Sequence, residues 1–200
     1  MKKKHMTLPD EWQTDFAEAL AQLEKTGNRA TLAQLRRGRG KAFGQEPRRD
    51  GWVLSQLRRL GRANFTDEWE VNRCCLVASL FAEHSASRGY GTLGAAFRRM
   101  ANQPGASEES IERRFHALLD SDREDLPERL RYAVSLLKSK EVAVNWAQLL
   151  ADVTNWGWPS RAVQKAWSRD FWAPRKSSDA NDSDETSATD VSEVATAAGG

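Results

Sequence analysis

Apolar residues recur at helical spacing along almost the whole chain, and no run alternates apolar and polar residues at period two. That single property confines the fold to all-α. Stop signals then divide the pattern into many short helices. In "LPDEWQTDFAEALAQLEKTGN", Pro9 and the acids mark a start, Trp12, Phe16, Leu20 and Leu23 form the inner face, and Gly27 ends it. A short helix follows from Arg29 to Arg37, with Leu32 and Leu35 inward and Gly38 and Gly40 beyond its end. Asp50 is the expected cap of the next helix, with Leu54, Leu57 and Leu60 inward and Gly61 closing it. Thr66 opens the longest apolar stretch, Asp67 to about His84, which is apolar around much of its circumference and therefore central.

Five more helices are expected in the second half. The inner faces are Leu93, Ala96, Phe97 and Met100, then Ile111, Phe115, Leu118 and Leu119 after a Ser107 cap. Leu130, Ala133, Val134 and Leu137 follow a Pro127 start. In "VNWAQLLADVTNWG", Asn145 caps, Gln148 completes a capping box, and Val144 staples onto Leu149. Pro159 is the expected start of a final helix with Val163, Ala166, Trp167 and Phe171 inward. The organisation read from these signals is a flexible basic start over 1–8, an N-terminal helical bundle over 9–86, a C-terminal bundle over 87–173 and a disordered acidic tail over 174–200.

Charge separates along that organisation. The 200 residues carry a net charge of +2, yet the last 24 hold six acids and no base. Without them, 30 basic residues face 22 acidic ones, a body of +8, which suits a polyanion partner. Mean hydropathy is −0.68 and no stretch approaches the length of a membrane span. "MKKKHMTLPDEW" is basic but lacks an apolar run behind it, so no secretory signal is expected and the location expected is the cytoplasm, with no membrane partner. The adjacent Cys74 and Cys75 read as buried helical thiols.

Catalytic constellations are missing from the pattern. His5, His84 and His116 are far apart and none has a partner at metal-ligand spacing. "DSDRED" gathers Asp120, Asp122, Glu124 and Asp125, whose position before a helix start favours capping over metal binding. "GRGKAFG" fits neither phosphate-loop pattern. The expectation is a protein that is not an enzyme and holds no cofactor or metal.

Arginine is what remains. "RATLAQLRRGRGKAFG" packs Arg36, Arg37, Arg39 and Lys41 into six positions. Arg48-Arg49, Arg58-Arg59, Arg98-Arg99 and Arg113-Arg114 are further pairs, and Arg131, Arg161, Lys165 and Arg169 extend the series. Guanidinium forks suit phosphate oxygens. No helix carries a compact set of base-reading side chains, and most of the eight tryptophans fall in core phases, so contact with a nucleic-acid backbone is expected without sequence readout. The candidate binding residues are Arg36, Arg37, Arg39, Lys41, Arg58, Arg59, Arg98, Arg99, Arg113, Arg131, Arg161, Lys165 and Arg169. A helix-turn-helix regulator and a helical scaffold that binds only protein stand as alternatives.

"RATLAQLRRGRGKAF" resembles the R-x-x-L-R-R segment of the CasB family, the small subunit of the type I-E CRISPR surveillance complex, Cascade. "CCLVASLFAEHSASRGYGTLGAAFRRM" is similar to that family's apolar helix, glycine loop and S/T-L-G-x-A helix. "SIERRFHALLDSDREDLPERLRYAVSLLK", "VNWAQLLADVTNWG" and "VQKAWSRDFW" follow in the family's order, so the resemblance covers about residues 12–172. It implies a helical two-bundle protein without enzymatic activity. It further implies that two copies lie along the CRISPR RNA–target DNA heteroduplex, among backbone and large subunits, and that their basic surface helps hold both strands of the R-loop apart. Arg36 and Arg37 match the family's arginine pair best; Arg113, Arg131, Arg161, Lys165 and Arg169 match it less closely, and Trp158-Pro159 stand where some relatives continue with bases.

Overall fold

The computed structural model describes residues 8–62, 68–86 and 89–174, and every described element is a helix or a turn. The acidic tail, the basic start, Thr66 and Asp67 therefore lie outside the described residues, apart from Leu8 and Pro174. The helices are α1 (Glu11–Lys25), α2 (Arg29–Arg37), α3 (Pro47–Arg59), α4 (Glu68–Glu83), α5 (Leu93–Ala101), α6 (Glu108–Leu119), α7 (Leu126–Ser139), α8 (Trp146–Asn155) and α9 (Ala162–Phe171).

Local chemistry sets most of these boundaries. Asp10 and Gln13 form a reciprocal capping box at the start of α1. Asn28, Ser107 and Asn145 each accept a backbone N–H from three residues on, which caps α2, α6 and α8. Gly27 and Gly61 adopt positive φ of 65° and 68° after α1 and α3, a conformation that costs glycine little. The Asp122 carboxylate accepts the backbone N–H groups of Glu124 and Asp125 ahead of α7, so this acid folds the turn before the helix.

Three expected starts are shifted. Asp50 does not cap α3. The helix begins at Pro47 behind Glu46, one turn earlier, because proline is already shaped for a first turn. Pro127 occupies the second position of α7, after Leu126. Pro159 lies in a turn, and α9 begins at Ala162 because Arg161 takes a left-handed conformation with φ of 49° that breaks helical continuity.

Among the described residues the core is one connected cluster that draws on each helix from α1 to α9. Helix α4 is central: ten of its residues are buried, and it packs against α2, α3, α7 and α8. Helix α8, late in the chain, packs on α1 and α4 as well as on α9. Helices α5 and α9 lie side by side, with Gly94 so close to the Trp167 backbone that a β-carbon has no room. The Thr92 hydroxyl donates to Asp170 at 2.5 Å and Arg98 donates to the Phe171 carbonyl at 2.9 Å along the same seam.

Candidate nucleic-acid interface

Helix α2 ends at Gly38, and the chain from there to Gly44 forms an exposed loop that turns back toward α3. Its shape is set from beneath by a side chain that reads in sequence as solvated. Arg49 is fully buried. Its guanidinium donates to the carbonyls of Gly38 (2.8 Å), Lys41 (2.7 Å) and Ala42 (2.8 Å), and its Nε and Nη2 reach Asp50 Oδ1 at 2.8 and 2.6 Å. Asp50 Oδ2 in turn accepts the Gly44 N–H at 2.8 Å. The Arg49–Asp50 pair thus pins the loop at both ends. Gly38 is required here because a side chain would strike the Arg49 stem.

The pinned loop is one wall of a cleft of about 510 Å³. Gly38, Arg39, Gly40, Lys41 and Ala42 face Trp69 and Arg73 of α4, and Arg123 from the turn before α7 and Arg131 from the first half of that helix close the far side. Leu76, Leu80, Leu126 and Val153 form an apolar floor. Arg131 lies directly over Gly40, its Nη1 3.0 Å from where a β-carbon would sit. Trp69 is 40% exposed, with the Arg73 guanidinium 3.3 Å and the Arg123 guanidinium 4.9 Å from its ring centroid. Arg39 bonds Glu83 at 3.3 Å and Lys41 bonds Glu46 at 2.6 Å, the latter holding the Glu46 carboxyl below its ordinary range. Arg123 and Arg131 have no acid partner among the described residues.

A second basic surface lies on α9. Arg161, Lys165 and Arg169 are four residues apart and border a shallow groove with His116 and the 45% exposed Trp172. The Arg161 guanidinium also donates to the Leu119 carbonyl at the end of α6, at 2.7 Å.

The sequence-derived candidates thus separate into groups. Arg39, Lys41 and Arg131 meet at the cleft, and Arg161, Lys165 and Arg169 meet on α9. Arg37, Arg58, Arg59 and Arg113 are exposed at helix ends or on outer faces and line neither surface. Arg36, Arg98 and Arg99 serve the fold. Arg36 donates through Nε and Nη2 to the Ala82 carbonyl at the end of α4, at 3.0 and 2.7 Å. Arg98 reaches the end of α9, and Arg99 holds the Tyr90 and Ala143 carbonyls. A guanidinium satisfies the last carbonyls of a helix and complements its dipole. Sequence reasoning missed Trp69 and Arg123; the charge of "DSDRED" drew attention to its acids, and nothing local places its arginine over a tryptophan more than fifty residues away.

No group of three or more His, Cys, Asp or Glu side chains that could hold a metal occurs among the described residues, and no described helix is long and apolar enough to cross a membrane. An all-helical protein with two basic surfaces, one of them a preformed cleft, is the class defined by this geometry. The family described as CRISPR-associated protein Cse2 matches residues 31–172, and the chain belongs to that family. A curated relative, the CRISPR-associated protein Cse2 of Thermus thermophilus, is 36% identical over 97 residues, which are 48% of this chain and about half (54%) of the relative. The crystal structure of M. ruber CasB is 36% identical with a TM-score of 0.62, covering 72% of this chain and 83% of that one. A chain in a structure of a CRISPR RNA-guided surveillance complex is 26% identical with a TM-score of 0.60, covering 80% of this chain and 92% of that one.

Proposed function

We propose that this chain is a non-catalytic subunit of a CRISPR RNA-guided surveillance complex in the cytoplasm, working beside a second copy and the other Cascade subunits. Its basic surfaces hold nucleic-acid backbone and prolong the R-loop. The observation that carries the reading is the set of solvent-accessible cations, Arg131 among them only half-buried, that the fold does not consume. Arg37, Arg131 and Lys165 have no ion-pair partner among the described residues, while Arg36, Arg98 and Arg99 are bonded to carbonyls. Membership in the Cse2 family and likeness to a chain of a surveillance complex support the assignment. R-loop formation exchanges one duplex for another of similar stability, so a few bonds to the backbone decide its lifetime.

The test is R-loop lifetime across a salt series in the reconstituted complex. Replacing Arg37, Arg131 and Lys165 together by alanine should leave assembly intact and shorten the lifetime for every matched target alike. The logarithmic salt slope should fall by roughly 0.7 to 0.9 for each phosphate that is no longer neutralised. Unchanged lifetimes and slopes in a correctly assembled triple variant would refute the reading.

A further inference from the structure

We propose that the cleft between the Gly38–Ala42 loop, α4 and α7 receives a single nucleotide turned out of a nucleic-acid strand. Its base enters against Trp69, Leu76 and Leu80, and its phosphate meets Arg123 and Arg131. The proposal rests on the nucleic-acid reading above and adds a base-binding step to it.

Four observations converge. The volume of about 510 Å³ lies within the range of small-ligand sites, ample for one nucleotide. The floor is apolar, from Leu76, Leu80, Leu126 and Val153, and an unstacked base needs such a surface to replace its former neighbours. At the edge stands Trp69, 40% exposed, with the Arg73 guanidinium packed at 3.3 Å and that of Arg123 farther off at 4.9 Å, and indole rings and guanidinium planes are the protein surfaces on which bases stack. Arg123 and Arg131 bring positive charge to the cleft and neither is ion-paired among the described residues, while Glu124 is the one acid among the described lining residues. A ligand matching this cleft is flat and apolar at one end and anionic at the other.

The loop wall of the cleft is also held in place before any ligand arrives. Arg49 and Asp50 fix its loop wall through buried bonds to Gly38, Lys41, Ala42 and Gly44. Gly40, at φ of 78°, leaves the space that Arg131 occupies. Little ordering cost then remains for binding. The Asn72 and Ser79 side chains that also line the cleft are already engaged, Asn72 by the Phe43 N–H and the Glu68 carbonyl and Ser79 by the Cys75 carbonyl, so the cleft should accept any base.

The experiment uses the full chain and two single-stranded DNA dodecamers at low salt. One is abasic at every position; the other carries one central thymine. The thymine strand should bind roughly 5- to 100-fold more tightly. Replacing that thymine by 5-iodouracil should give a light-induced cross-link that maps to Trp69. Trp69→Ala should abolish most of the thymine increment, while Trp69→Phe retains part of it. Equal affinity of the wild-type chain for both strands, or a cross-link mapping only outside the cleft, would overturn the proposal and leave backbone binding standing. Absence of salt-dependent binding to either strand would instead overturn the nucleic-acid reading itself.

Discussion

Arg49→Leu tests the link between the buried ion pair and the loop it holds. Leucine keeps some apolar volume but removes every donor from the site. Asp50 then gives up two charge-assisted bonds and keeps the Gly44 N–H and the weak Cys75 thiol bond at 3.6 Å. The carbonyls of Gly38, Lys41 and Ala42 are left without their donor as well. Removing one partner of a buried pair costs about 3–5 kcal/mol, since the remaining charge is left in a low-dielectric setting. At roughly 2–4 °C per kcal/mol for a domain of this size, the melting temperature should fall by about 6 to 20 °C in circular dichroism. Arg49→Lys should land between wild type and Arg49→Leu, because one ammonium cannot span Asp50 and three carbonyls. A second readout localises the effect: Arg39 and Lys41 are tryptic sites within the pinned loop, and cleavage there should accelerate in Arg49→Leu beyond what the global stability change explains. A melting shift below about 2 °C with unchanged loop cleavage would refute the reasoning.

Three other outcomes follow from buried features. Asp152 is fully buried, and burial raises its carboxyl to about 7 despite hydrogen bonds from Trp167 (2.6 Å) and Gln148 (2.9 Å) that act the other way. Its folded pKa exceeds the unfolded value of 3.8, so its protonated form favours folding and that contribution is lost as pH rises toward and through about 7. Asp152→Asn should therefore gain stability relative to wild type between about pH 4 and about pH 8, on the order of a few kcal/mol; a gap that does not vary with pH in denaturant titrations would contradict this. Gly94→Ala should force α5 off α9 at a cost of about 3 kcal/mol or more, because the atom it meets is backbone and cannot swing aside; a wild-type melting temperature would show that the seam yields. Burial pushes the Cys75 thiol up to about 12 and Cys74 higher still, so neither should react with a thiol reagent at about pH 8 until denaturant is added, and one fast equivalent would disprove it.

Helix faces and glycine stops were legible in the sequence because they are local. The bounds of α2 follow from Gly38 and from the phase of Leu32 and Leu35, and the all-α class follows from periodicity alone. The start of α9 was not legible, since proline signals both helix starts and turns and only the left-handed Arg161 decides between them. The arginines were half legible. Sequence marks them as charged, but whether a guanidinium faces solvent or a carbonyl depends on which helix end comes to lie beside it. Arg36 finds Ala82, and Arg49 finds a loop up to eleven residues behind it. The cleft escaped notice for the same reason: its walls come from residues 38–42, 69–80, 123–131 and 153.

The placement of α8 on α1 and α4 has a consequence for how the protein is made. Residues 146–155 complete a layer begun at residue 11, so on a ribosome the first four helices emerge without the surface that covers them. Helix α5 likewise waits some seventy residues for α9 to lie along Gly94. Neither half can close before these late helices have been made. Loop closures of this span slow folding, and the apolar faces of α1 and α4 that α8 covers stay exposed until residues 146–155 have been added. Synthesis rate and chaperone supply should thus affect the yield of this chain more than its modest size suggests.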